Sequence, residues 1–251
     1  MVFLSNHYHL VVTDVSGTLP EFTEELNKLI GRALNHFHGR REHFWNSDQV
    51  SQVRLLSPAT VLDKTTYALA NPTKALLVSH GNKWPGVRLF RKGDYVAKKP
   101  KFFFRSKDAG GELPDTAILK LTAPPIGVDE RRADDAVQKA TSAREKLLRD
   151  AANAANKKFK GSAAVKIQNI YGSPRKPLPA HRLSPQIACR DPEVRIAALA
   201  AIKEFVFDHA ERRKDFLSKV KKDSLDKVKS VLFPRGTYKM VKQFGARCAE
   251  A

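Results

Sequence analysis

Two hydrophobic periods stand side by side at the start of this chain. Residues 2–13 alternate and are rich in Val, Leu and Phe, a period of two that predicts a strand. From Pro20 the period lengthens: Phe22, Leu26, Leu29, Ile30, Ala33, Leu34 and Phe37 share one helical face, closed by Gly39. Residues 43–56 read as extended and partly strand. Ser57-Pro58 opens a second helix whose apolar side is Val61, Leu62, Ala68 and Leu69. Asn71-Pro72 ends or bends it, because proline disfavours helical backbone at the residue before it. Strands and helices in this order predict an α+β domain, an antiparallel sheet with helices on one face.

Charge then divides the chain. Residues 1–95 hold 11 Lys+Arg against 8 Asp+Glu; residues 96–251 hold 34 against 18, and so carry +16 of the net +19. The change falls at YVAKKPKFFFR and predicts an ordinary globular domain over 1–95 and a basic, largely helical extension over 96–251. A surplus of that size concentrates polyanions around the protein and makes nucleic acid the leading partner, with affinity that falls steeply with salt. Within the extension, residues 102–105 and 116–124 are strand candidates, and 129–159 is a long charged helix expected to be mostly exposed. Residues 163–171 read as a short strand, before a Pro-rich basic loop. Asp191-Pro192 starts a helix with Val194, Ala198, Ile202, Phe205, Phe216 and Val220 as its buried face, and a further short helix ends at Phe233-Pro234.

With 42% hydrophobic residues, a disordered chain is excluded. Cys189 and Cys248 lie far apart and form neither a metal-ligand pair nor a disulfide framework, which points to a reducing cytoplasm, with Cys189 a small buried residue. No apolar run approaches the ~20 residues that span a bilayer. The first residues, MVFLSNHYHLVV, lack the basic region of a signal peptide.

Two motifs carry chemistry. His7 and His9 alternate along a predicted strand, so both imidazoles point to one face and Tyr8 to the other. Such a pair is either a divalent-metal site or a hydrogen-bonded surface pair. Asp63, Tyr67 and Asn71 form a polar stripe at i−4, i and i+4 on the second helix. The stripe is either a solvated face with Tyr67 at its rim, or a phenol nucleophile beside an amide or carboxylate ligand. His36-Phe37-His38 repeats the spacing of the first pair at a helix end, where i and i+2 diverge by ~200°. Phe102, Phe103 and Phe104, between Lys101 and Arg105, suit either a buried strand or stacking on unpaired bases.

NHYHLVV, a helix, HFW, and then Y-x-x-x-N-P followed by TKALLV together resemble the REP-associated tyrosine transposases. These belong to the single-tyrosine HUH transposases, relatives of relaxases and rolling-circle replication initiators. The resemblance covers residues 2–90, through Trp84-Pro85-Gly86, and Trp45 matches a family aromatic. It implies a ferredoxin/RRM-like antiparallel sheet with helices on one face, the HUH fold. It also implies His7 and His9 as metal ligands, Asn71 as the third ligand and Tyr67 as the nucleophile. FPRGTY at 233–238 looks like the extension of one subgroup. The implied reaction is cleavage and rejoining of single-stranded or hairpin DNA of a mobile element, through a 5′-phosphotyrosine. The cofactor is Mg²⁺ or Mn²⁺, suited to hard oxygens with imidazole, and no nucleotide cofactor is needed.

A phenol ionises near ~10, so a metal or a nearby cation must favour its anion. Lys64, at i−3 from Tyr67, is a candidate for that role as well as a plain solvated charge. Lys64, Lys98, Lys99, Lys101, Arg105, Arg212, Arg213 and Lys214 are the expected DNA contacts. The resemblance implies a cytoplasmic, nucleoid-associated protein, monomer or homodimer, with no membrane partner. In the family another strand and a helix precede the histidine strand, whereas here Met1 stands six residues before His7. The expected sheet is therefore short of one strand, and the alternative reading is a catalytically inactive, domesticated or truncated transposase that only binds nucleic acid.

Overall fold

A computed structural model describes residues 1–45, 50–100, 114–169 and 185–222. The class is α+β. Contacts divide the chain into two compact units that interleave in sequence. One holds residues 1–12, 29–51 and 57–184; the other holds 13–28, 52–56 and 185–251. The compositional boundary at residue 96 falls inside a strand.

In the first unit, residues 2–13 are not one strand. They fold into an antiparallel hairpin, β1 (Val2–Phe3) against β2 (Tyr8–His9), with Val2 facing His9 and Phe3 facing Tyr8. Ser5 and Asn6, both turn formers, reverse the chain, and the Leu4 N–H donates to the His7 carbonyl at 2.8 Å. The other side of β1 meets residues 87–89 through a Val2–Arg88 bridge, with Phe3 N–H donating to the Val87 carbonyl at 2.9 Å. Both sides of β1 are therefore paired, while among the described strands β2 pairs with β1 alone. The Trp84 indole donates to the Phe3 carbonyl at 2.9 Å and packs with Val78 and Val165 in a buried cluster.

Helix α1 (Leu19–Phe37) follows the predicted bounds and ends at Gly39, whose φ of +62° lets Arg40 and Gly39 N–H close the last turn on Asn35 and His36. Its apolar face is not sealed: Phe22, Leu29 and Phe37 stay exposed. Helix α2 spans Pro58–Leu69, after β3 (Arg54–Leu55). Ser57 caps it by accepting from the Thr60 N–H at 3.3 Å, and Pro58 occupies the first turn, where its missing N–H costs nothing. The chain breaks at Ala70 and resumes as the single turn α3 (Asn71–Lys74), as Asn71-Pro72 predicts.

Strands β4 (Gly93–Lys98) and β5 (Thr116–Leu121) form an antiparallel ribbon. Tyr95 lies within it. Helix α4 (Glu130–Ala154) is the expected long charged helix, exposed along much of its length. Its charged sequence suggests exposure, yet Ala133, Val137, Thr141 and Glu145 are buried against α2 and α3. They recur every four residues, and three of them are small, so the helices pack closely without bulky side chains. Among the described residues of the predicted strand 163–171, which end at 169, there is no strand. The segment instead begins with α5 (Ser162–Lys166), fixed by Lys160 and Gly161 N–H bonds to the Leu76 and Leu77 carbonyls, each 2.9 Å.

The second unit pairs β3 in parallel with β6 (Ile187–Ala188) and contains α6 (Pro192–Lys222). Asp191 caps α6 as its sequence predicts, its carboxylate accepting from Glu193 N–H at 2.9 Å. Of its predicted buried face, Ala198 is buried while Val194 is exposed. Cys189 is buried, as expected. The described strands thus make three two-stranded sheets, one of them parallel. Among the described residues no helix is long and apolar enough to cross a membrane. Lys101, Arg105, Phe102–Phe104, the Pro-rich loop, Tyr171 and the segment around Phe233-Pro234 lie outside the described residues.

Candidate active site

The hairpin β1–β2 sets the first part of the site. Period-two geometry puts Tyr8 against Phe3, ring centroids 5.3 Å apart, and edge-on to Trp45 at 5.7 Å. The opposite face carries His7 and His9, whose ring centroids are 5.0 Å apart and perpendicular. Asn6 Oδ1 lies 2.7 Å from His7 Nδ1, a bond that orients the ring.

Helices α2 and α3 set the second part. Tyr67 is in the last turn of α2, its ring edge-on to His9 with centroids 5.8 Å apart. Asn71, 62 positions from His9 in sequence, places its amide nitrogen 2.7 Å from His9 Nε2 and is buried. Asn71 is held there because α3 begins at that residue, one turn beyond Tyr67. The four residues singled out from two separate motifs are therefore gathered at one place.

The donor types, two imidazoles and an amide oxygen, are ones a divalent cation takes, with Asn71 ligating through Oδ1 once its amide is turned from the His9 contact. Burial first, then the neighbouring His7 and Lys74, lower the His9 imidazole from 6.5 to about 4. At neutral pH the ring is uncharged, the form that ligates metal. Among the described residues no three His, Cys, Asp or Glu side chains cluster to hold a metal, so the third ligand would be the Asn71 amide oxygen.

The shift has a sign. The unfolded chain takes up a proton at His9 near 6.5 and the folded chain only near 4, so stability is lost as pH falls through that window. A His9→Gln chain should lose less thermal stability than the unaltered protein between pH 7 and pH 4. Equal losses in thermal unfolding would remove His9 from the pH response.

Around the phenol the structure places cations. The Lys74 ammonium donates to Tyr67 Oη at 3.1 Å and sits 4.5 Å from the ring centroid. The Arg144 guanidinium carbon, from α4, lies 5.4 Å from the same centroid, and Lys64 Nζ lies 5.9 Å away. Arg144 is committed to the α2 helix, donating to Asp63 Oδ1 at 3.0 Å, to the Asp63 carbonyl at 3.1 Å and to Thr66 Oγ1 at 3.3 Å. Lys64 lies 3.8 Å from Asp63 Oδ2. The cation on the phenol oxygen is thus Lys74, not Lys64. Lys74 is legible in principle, seven positions from Tyr67 and on its face, whereas Arg144 left no local signal.

Behind the site, Arg88 and Glu145 form a buried pair, Nη2 to Oε1 3.5 Å, with side chains 12% and 9% exposed. Arg88 Nε donates to the Leu69 carbonyl at the end of α2 at 3.1 Å, and Glu145 accepts the Gly81 N–H at 3.0 Å. A Cβ on Gly81 would sit 2.5 Å from Glu145 Oε1 and 2.7 Å from Arg88 Nε, so only glycine lets the pair close. Burial works against the Arg88 charge and Glu145 offsets it. Sequence reasoning missed this pair.

The remaining predicted contacts are dispersed. Lys98 ends β4 and is exposed, and Lys99 pairs with Asp115 at 3.1 Å. Arg212, Arg213 and Lys214 are exposed on α6 in the second unit. No protein-family model, curated protein or solved structure matches the chain.

Proposed function

We propose that the chain is a single-tyrosine HUH transposase of the REP-associated kind, cutting and rejoining single-stranded hairpin DNA through a 5′-phosphotyrosine. The observation that carries this reading is the meeting of His7 and His9 with Tyr67 and Asn71, joined by the 2.7 Å His9–Asn71 contact. The HUH architecture is part of the proposal: a histidine hairpin facing a tyrosine helix.

In cleavage, Tyr67 Oη attacks phosphorus, forming the Oη–P bond as the P–O3′ bond breaks. The phenolic proton passes to water, and the leaving 3′ oxygen takes one up. The new ester keeps the phosphodiester energy, so the rejoining step needs no nucleotide. His7, His9 and Asn71 would hold Mg²⁺ or Mn²⁺, which when bound supplies a Lewis acid for a non-bridging phosphate oxygen. Exposed Arg212, Arg213 and Lys214, with Lys64, Lys98 and Lys99, supply phosphate contacts whose strength falls with salt. The proposal includes Lys101 and Arg105 and a cytoplasmic, nucleoid-associated protein acting as monomer or homodimer.

The test is incubation of the full chain with a labelled single-stranded hairpin and Mg²⁺ or Mn²⁺, followed by a denaturing gel. A covalent protein–DNA adduct is expected with the metal and none with a chelator. Binding of the hairpin without an adduct would overturn the catalytic reading in favour of a protein that only binds nucleic acid.

A further inference from the structure

We propose that Lys74 is a catalytic residue, the cation that carries the charge on the Tyr67 oxygen when the phosphotyrosine bond forms and breaks; the inference rests on the transposase reading. Residues i and i+7 of a helix share a face but lie two turns, ~10.5 Å, apart. A lysine bridges that gap because helical side chains lean toward the N-terminus and its stem is long. The turn α3 continues the face of α2 beyond the break at Ala70, so Tyr67, Asn71 and Lys74 form one stripe of nucleophile, amide and ammonium. The bond is direct: Lys74 Nζ donates to Oη at 3.1 Å.

The three cations near the ring differ in what else they hold. Asp63 engages both Arg144, at 3.0 Å, and Lys64, at 3.8 Å. Among the described residues no carboxylate lies within ion-pair distance of Lys74. Its charge is therefore directed at the phenol oxygen and its surroundings, and the side chain is exposed, where a DNA phosphate has access.

The same ammonium serves both directions. In cleavage the attacking oxygen gives up its proton to water and is most negative before the Oη–P bond is complete. In rejoining, a 3′-hydroxyl attacks the phosphotyrosine and loses its proton to water, the Oη–P bond breaks, and the electron pair returns to Oη beside the ammonium. A preorganised donor at an oxygen that gains charge only during reaction accelerates the step without needing to tighten binding.

The test measures single-turnover cleavage of a labelled single-stranded hairpin by the full chain, alongside the hairpin's dissociation constant. Lys74→Met keeps the length of the side chain without its charge and should slow adduct formation ~100-fold, the scale of losing one such donor. The dissociation constant should change by less than about threefold, the loss of one phosphate contact at most. Lys74→Arg should recover part of the rate, because a cation is restored. A Lys74→Met chain that cleaves at the unaltered rate overturns this role and leaves the transposase reading standing. A loss in Lys74→Met matched by an equal weakening of DNA binding also overturns it, since the lysine would then only bind. No adduct from the unaltered chain overturns both readings.

Discussion

If Tyr67 is the nucleophile of the proposed transposase, a Tyr67→Phe chain should form no covalent adduct with the single-stranded hairpin, while it should still fold and bind that DNA. The substitution removes one oxygen and keeps the ring. The edge contact with His9 at 5.8 Å and the cations near the ring face remain. What is lost is the hydrogen bond from Lys74, worth ~1 kcal/mol for an ordinary exposed pair. Adduct formation should fall below detection, since no other group of the stripe can form the phosphate ester. The remaining tyrosines in described positions are engaged elsewhere. Tyr8 packs between Phe3 and Trp45, and Tyr95 donates to the Arg91 carbonyl at 2.9 Å. The measurement is the denaturing gel, with thermal unfolding and hairpin titration as controls for folding and binding. An adduct of undiminished yield in Tyr67→Phe would move the nucleophile to another residue.

Glu145→Ala should destabilise the unit that holds the site by ~3–5 kcal/mol, the cost of leaving a buried charge without its partner. Arg88 would keep its guanidinium in a position 12% exposed, and the Gly81 N–H would lose its acceptor. Against a total stability of ~5–15 kcal/mol that is a large fraction, and thermal unfolding should shift down by roughly 10 °C. Glu145→Gln keeps the shape and one carbonyl oxygen for Gly81, so it should recover part of the loss but not the ion pair. Because Arg88 also holds the Leu69 carbonyl at the end of α2, the same change should loosen the turn that carries Tyr67 and Asn71. A midpoint unchanged in Glu145→Ala would show that the pair contributes nothing net.

Much of the site was legible because its rules are local. Alternation put His7 and His9 on one face, the Ser57-Pro58 cap started the tyrosine helix, and Asn71-Pro72 ended it. Each needs only neighbours within a turn or a strand, and backbone sterics decide them. Other features depend on residues far along the chain. The alternating run of 2–13 folds back on itself at Ser5-Asn6, because pairing β1 with both β2 and residues 87–89 satisfies more backbone groups than one lone strand. The buried side of α4 is made of Ala133, Val137, Thr141 and Glu145, a pattern without bulk that a hydrophobic period cannot detect. Residues 163–171 had the composition of a strand, but Leu76 and Leu77 anchor the chain just before them as it enters a helix. Sequence by itself singled out the candidate side chains. Tertiary structure decided that they meet, and which cation faces the phenol, because the position of Lys74 and the packing of α4 depend on helix geometry and on contacts between segments remote in sequence.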